Sequence, residues 1–179
     1  MLSGWTNFYL ILGPASATLI GLMFVVVSLT SGLERSRALR AGAAYMTPTI
    51  LHFGAVLVVS ATAVAPPMPA GLLGLVVGAV AVAGAVGAVR ACVQLRAFVV
   101  GPGSNPHWSD HLTYGVLPLV LYLALAGVAL GLACGARLAV NALALTTLAL
   151  LIMGVRNAWD LISWMAPKAD PEDPAPPGT

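Results

Sequence analysis

Two of the chain's three histidines fall in one short stretch, Asn105-Pro106-His107-Trp108-Ser109-Asp110-His111, beside an aspartate. Asn105 and Pro106 suit the N-cap and first position of a helix. The asparagine side chain accepts a free backbone N–H, and proline lacks the N–H that would go unpaired there. A helix starting at this point carries His107, Asp110 and His111 at i, i+3 and i+4, on one face. Two imidazoles and a carboxylate so arranged can ligate Zn²⁺ or another transition metal, with His52 as a further ligand from elsewhere in the chain. The same residues suit a simpler role. Asp110 complements the dipole of a starting helix, Trp108 anchors at a membrane interface, and the histidines are interfacial polar groups. Histidine also titrates near neutrality, so His52 and His111 are candidates for a pH-sensitive gate.

A second polar group closes the last apolar run. Arg156 and Asp160 are spaced i, i+4 and can pair along a helix, while Asn157 can bond across to another one. Glu34 stands beside Arg35 and Arg37. Glu34, His52, His107, Asp110, His111, Arg156, Asn157 and Asp160 together make a candidate polar cluster, or gate, at one membrane face. Thr18, Ser60, Thr62, Thr146 and Thr147 lie within apolar runs, where most are expected to bond the carbonyl four residues back. No charged side chain falls near the middle of a span, which weighs against a carboxylate-driven transporter. A channel remains open, since carbonyls, hydroxyls and apolar constrictions can line a path. No nucleophile elbow, phosphate loop, H-E-x-x-H or C-x-x-C-H occurs, so no catalytic residue is assigned.

The elements that must hold these groups are membrane helices. Of 179 residues 59% are apolar and only 8% charged, against about 25% charged in a soluble domain. Apolar runs near 8–30, 47–66, 70–95, 112–134 and 138–162 each approach or exceed the roughly 20 residues that cross a hydrocarbon core. The expected fold is an all-α, five-span bundle over residues 1–166. The Pro-rich acidic tail 167–179 has no apolar face and is expected to be disordered. Met1 to Tyr9 has no basic leader, which predicts a retained first helix. Thr47 and Pro48 are read as the cap and first turn of the second span.

Charge then orients the bundle. Arg35, Arg37, Arg40, Arg90, Arg96, Arg156 and Lys168 fall on one side and Arg137 on the other. By the positive-inside rule the N-terminus is outside and the C-terminus cytoplasmic. These basic residues are dispersed, so nucleic acid is not an expected partner. Cys92 and Cys134 fall near opposite faces of the membrane, at the ends of the third and fourth spans, so an intrachain disulfide is not expected.

Small residues recur at four-residue spacing. Gly13, Ala17 and Gly21 mark the first span, Gly74 and Gly78 the third, and Gly127, Gly131 and Gly135 the fourth, all candidates for close helix packing. Residues 12–29 resemble the first span of a group of small bacterial integral membrane proteins of unknown function. The likeness rests on Ala15, Ala17, Gly21, Leu22, Phe24, Val25, Ser28 and Leu29, and on Gly-Val-Arg-Asn-Ala-Trp at 154–159. The resemblance implies a membrane protein and supplies no catalytic role; the expected location is a bacterial inner membrane, crossed several times. The combined expectation is a homo-oligomeric channel for ions or small solutes, with its pore between subunits and a polar gate at the cytoplasmic face, in contact with the lipid bilayer, and with no cofactor unless a transition metal. A metal-binding membrane enzyme and a membrane scaffold are the alternatives.

Overall fold

The structure, a computed structural model, describes residues 2–30, 35–98 and 112–165, except for the side chains of 3, 29–30, 35–45, 95–98 and 164–165. Five long helices follow one another: α1 (Thr6–Thr30), α2 (Arg35–Val64), α3 (Ala70–Phe98), α4 (Leu117–Ala133) and α5 (Arg137–Met165). A 3-10 turn at Ser3–Trp5 precedes α1, and a π-helical turn at Leu112–Val116 leads directly into α4. Their apolar segments are Thr6–Ser28, Met46–Val64, Ala70–Gln94, Leu112–Ala133 and Arg137–Ser163. The shortest has 19 residues, close to the roughly 20 that span a 30 Å hydrocarbon core. The chain is thus an all-α bundle with five helices long and apolar enough to cross a membrane, the architecture of a multi-pass membrane protein.

The outer surface agrees with that solvent. Ile11, Leu75, Leu130 and Leu138 are each more than two-thirds exposed. Lipid tails are as apolar as leucine, so nothing drives such side chains inward.

Helix ends have identifiable causes. Pro66, Pro67 and Pro69 separate α2 from α3, because proline neither donates to the helical ladder nor fits behind a preceding turn. α4 ends at a left-handed Gly135 (φ 72°). The Gly135 N–H donates to Leu132 O and the Ala136 N–H to Gly131 O, the paired bonds of a Schellman motif. Pro118 lies just inside α4. Its missing N–H and ring bulk disrupt the ladder back to Tyr114, and the wider π turn at Leu112–Val116 accommodates that defect.

One expectation needs correction. Thr47 and Pro48 do not begin the second helix, which runs unbroken from Arg35 and takes Pro48 into its interior. The stretch ahead of Thr47, residues 35–46, is rich in alanine and arginine, which are strong helix formers. The helix therefore starts outside the apolar segment. The tail 167–179 lies outside the described residues, as does the connection 31–34.

Register is set by close contacts. Cβ positions built on Gly74, Gly84 and Gly115 would meet Ala129, Tyr122 and Cys92, so α3 and α4 run antiparallel. Gly87 faces Leu51, Gly154 faces Phe53 and Gly13 faces Ser60. Helices that follow one another in the chain alternate in direction, and α2 is central, packing on α1, α3 and α5. The interior is filled by Val56, Val59, Val77, Leu125, Leu143 and Leu150.

Candidate functional site

α2 turns a mixed face to the interior: Thr49, His52, Phe53, Val56, Val59, Ser60 and Ala63 are buried. These positions recur every three or four residues, one stripe of a helix. His52 is 1% exposed. Its Nδ1 shares a hydrogen bond of 2.9 Å with the hydroxyl of Tyr122 on α4, and the two rings are tilted with centroids 5.6 Å apart. Which group donates depends on the imidazole tautomer. The other ring nitrogen, Nε2, is buried with no hydrogen-bond partner. Gly84 makes this pairing possible, because a Cβ there would overlap the Tyr122 ring. Gly154 likewise leaves room for the Phe53 ring, which a Cβ would approach at 2.6 Å. Ser16 on α1 donates to Phe53 O at 2.6 Å, tying a third helix to this level.

Toward the end of the bundle where the apolar part of α2 begins lies Asn157, fully buried on α5. Its Nδ2 reaches Thr113 O at 3.5 Å, and its backbone oxygen accepts from the Tyr114 hydroxyl at 3.0 Å. The Oδ1 atom has no partner. The π turn places Thr113 and Tyr114, both buried, against α5.

In the opposite direction are Ser60 and Tyr9. The Ser60 hydroxyl is buried and unpartnered, and its Cβ lies against Gly13. The Tyr9 hydroxyl lies beside Thr147 without reaching hydrogen-bond geometry. Thr147 instead donates to Leu143 O at 2.7 Å.

These groups form three stations along the interior. Asn157 is about 15 Å from Thr147 along α5, and His52 about 12 Å from Ser60 along α2, at 1.5 Å per residue. Between the His52 and Ser60 levels the interior is lined by apolar side chains: Val56, Leu125 and Leu150 are at most 1% exposed. Burying a polar group without a partner is costly. Here Tyr9, His52, Ser60 and Asn157 each carry such an atom in helices suited to lipid.

The expected cluster divides on inspection. His52 and Asn157 face inward, and no hydrogen bond joins them. Arg156 and Asp160 pair at 3.4 Å with side chains 48% and 42% exposed, outside the buried stations. Glu34, His107, Asp110 and His111 lie outside the described residues, as do three of the four candidate metal ligands. Among the described residues no three His, Cys, Asp or Glu side chains gather around a common point. Thr18, Thr62, Thr146 and Thr147 bond the carbonyl four residues back, and Ser60 does not.

The small-residue faces divide too. Gly13, Gly74, Gly78 and Gly131 lie against neighbouring helices. Ala17, Gly21 and Gly127 are exposed, because a four-residue step turns about 40° past a full helical circle and drifts off the packed face. Gly135 serves the turn after α4. The tight notches at Gly84, Gly87, Gly115 and Gly154 were missed, since none belongs to a glycine pair of four-residue spacing. Tyr122 was missed as well. Comparison of the chain with protein-family models, curated proteins and solved structures finds no match.

Proposed function

We propose that the protein is a membrane channel for ions or small polar solutes, with its path through the protomer between α1, α2, α4 and α5. The observation that carries this reading is the series of buried, unpartnered polar atoms on Tyr9, Ser60, His52 and Asn157. Within a bilayer such atoms are expensive to maintain and typically mark a route that water or a permeant species satisfies. A protein acting only as a scaffold has no use for them. Val56, Leu125 and Leu150 form an apolar constriction that opens by wetting, a recognised mode of gating. The geometry favours a route inside the protomer over a pore between subunits, because the polar side chains face inward.

Homo-oligomerisation stays in the proposal through the outward Ala17, Gly21 and Gly127 positions, but the path does not depend on it. The proposed setting is a bacterial inner membrane, with the N-terminus outside and the C-terminus cytoplasmic, on the basic-residue count given above.

The test is flux of small solutes and ions in proteoliposomes of the full chain, beside Val56→Ser. A hydroxyl in the constriction should ease wetting and raise flux roughly tenfold, equivalent to about 1.4 kcal/mol off the barrier. Flux indistinguishable from empty vesicles for both proteins overturns the proposal.

A further inference from the structure

We infer that the species moved along this path is the proton, relayed at His52; the inference rests on the channel reading above. Three observations carry it. The first is the fit of the interior. Val56, Leu125 and Leu150, all at most 1% exposed, belong to one apolar core cluster between the stations. A hydrated ion needs a wide, continuously polar route or a cage of oxygen ligands, whereas a proton needs only a transient thread of water between hydrogen-bonding groups.

The second is the chemistry of the stations. Tyr9, Ser60, Tyr122 and His52 each both donate and accept hydrogen bonds in the neutral state. Arg90, Arg137 and Arg156, which would repel a cation, are exposed on the outside of the bundle, and Arg156 is paired with Asp160.

The third is the placement of one imidazole. Its Nδ1 is held by the Tyr122 hydroxyl and its Nε2 is open, buried and unpartnered. In the tautomer with Nδ1–H donated to Tyr122 Oη, a proton arriving from a water binds the Nε2 lone pair and gives the imidazolium. The Nδ1 proton then passes to Tyr122 Oη as the phenol releases its own proton to a second water. One proton enters, one leaves, and the imidazole is neutral again with its hydrogen on Nε2. Return of the ring to its starting tautomer completes the cycle. Gly84, by admitting the Tyr122 ring, is the positioning residue for this pair.

The experiment loads vesicles containing the full chain with a pH-sensitive dye and imposes a potassium diffusion potential with valinomycin. Water and small-solute permeability are read on the same vesicles by light scattering. Wild type should carry protons in response to the potential. His52→Phe and His52→Gln should both lose proton flux by roughly a hundredfold, the lower end of what a positioned proton-transfer group contributes. His52→Gln keeps a hydrogen-bonding partner for Tyr122, so its loss reports proton relay rather than packing. Tyr122→Phe, the mildest change of shape, should lower proton flux and leave water permeability in place. Solute or water flux without potential-driven proton flux in wild type overturns the proton inference and leaves the channel. Unchanged proton flux in His52→Gln also overturns it. Absence of every flux in wild type and in Val56→Ser overturns the channel itself.

Discussion

The seam between α3 and α4 and the seam that α2 forms with α1 and α5 both use close glycine contacts but differ in the polar groups they bury. α3 meets α4 through glycine: Gly74 lies so close to α4 that a Cβ would stand 2.8 Å from Ala129 O, and Gly84 accepts the Tyr122 ring. Such contacts gain dispersion energy by letting backbones approach, the main adhesive available where lipid removes the hydrophobic drive. The α2 seam instead buries Ser16, Thr49, His52, Ser60, Thr147 and Asn157, and leaves polar atoms of three of them unpartnered. A seam meant only to hold helices together gains nothing from unmet polar groups. The contrast separates a seam held mainly by close backbone approach from the seam that carries the buried polar atoms on which the proposed conduction rests. It also shows how the two depend on each other, since the glycine seam aims Tyr122 at His52.

The sharpest way to break this comparison is to fill a notch. Gly84→Ala should lower the unfolding free energy in detergent by about 3 kcal/mol, the upper part of the usual range for overpacking, because a buried aromatic ring cannot move aside. Gly127→Ala should lose nothing, as a Cβ at that position meets no atom of the protomer within 4 Å. Adding Tyr122→Leu to Gly84→Ala should recover most of the loss, because the two positions share one space. Equal losses at Gly84 and Gly127 would remove the distinction between notched and outward glycines. If Gly127→Ala instead splits an oligomer, the outward face is an interface between copies.

A smaller effect probes the junction of the two seams. Tyr122→Phe should cost about 0.6–1 kcal/mol, the measured scale for a hydrogen bond between membrane helices and for a typical buried one. Removing both polar partners, in His52→Leu with Tyr122→Phe, should be closer to neutral, since no nitrogen is then left buried and unpaired. Equilibrium unfolding of the single and double variants checks this. A double variant clearly less stable than wild type would mean that His52 makes a further favourable interaction besides the one with Tyr122.

How far these features were legible follows from their range along the chain. The five spans were readable because lipid imposes length and apolarity locally, and the hydroxyls of Thr18, Thr62, Thr146 and Thr147 because an i−4 carbonyl is always within reach. Gly135 was misread because the turn demands a left-handed residue only once α4 has ended there. The start of α2 was misread because hydropathy marks where a helix enters lipid and is silent on how far it continues into water. The His52–Tyr122 pair joins residues far apart in the chain through the Gly84 notch, so only the assembled register reveals it. Asn157 was legible as a cross-helix residue, while its separation from Arg156 and Asp160 depended on which face of α5 turns inward.

Within the polar seam, Ser60→Ala should be neutral or stabilising by less than about 1 kcal/mol, as it deletes a hydroxyl whose desolvation is unrepaid. A clear loss of stability would show that the hydroxyl has found a partner in the bilayer, which is what a water-filled station would provide. The same substitution should then lower flux, tying stability and conduction to one atom.

The smallest expected effect belongs to the polar pair outside this seam. Arg156 and Asp160 meet at 3.4 Å, both nearly half exposed, with the arginine preceding the aspartate on α5. That order is the weaker one for the helix dipole, and exposed i, i+4 pairs contribute only about 0.3–0.5 kcal/mol. Arg156→Gln should therefore lower stability by no more than that, and the difference should fade as salt is raised, because exposed charges are screened within about 10 Å at 0.1 M. Flux through the interior should be unchanged. A large loss of flux in Arg156→Gln would move the working site from the buried stations to the helix end, and would return Arg156 and Asp160 to the polar gate that their spacing first suggested.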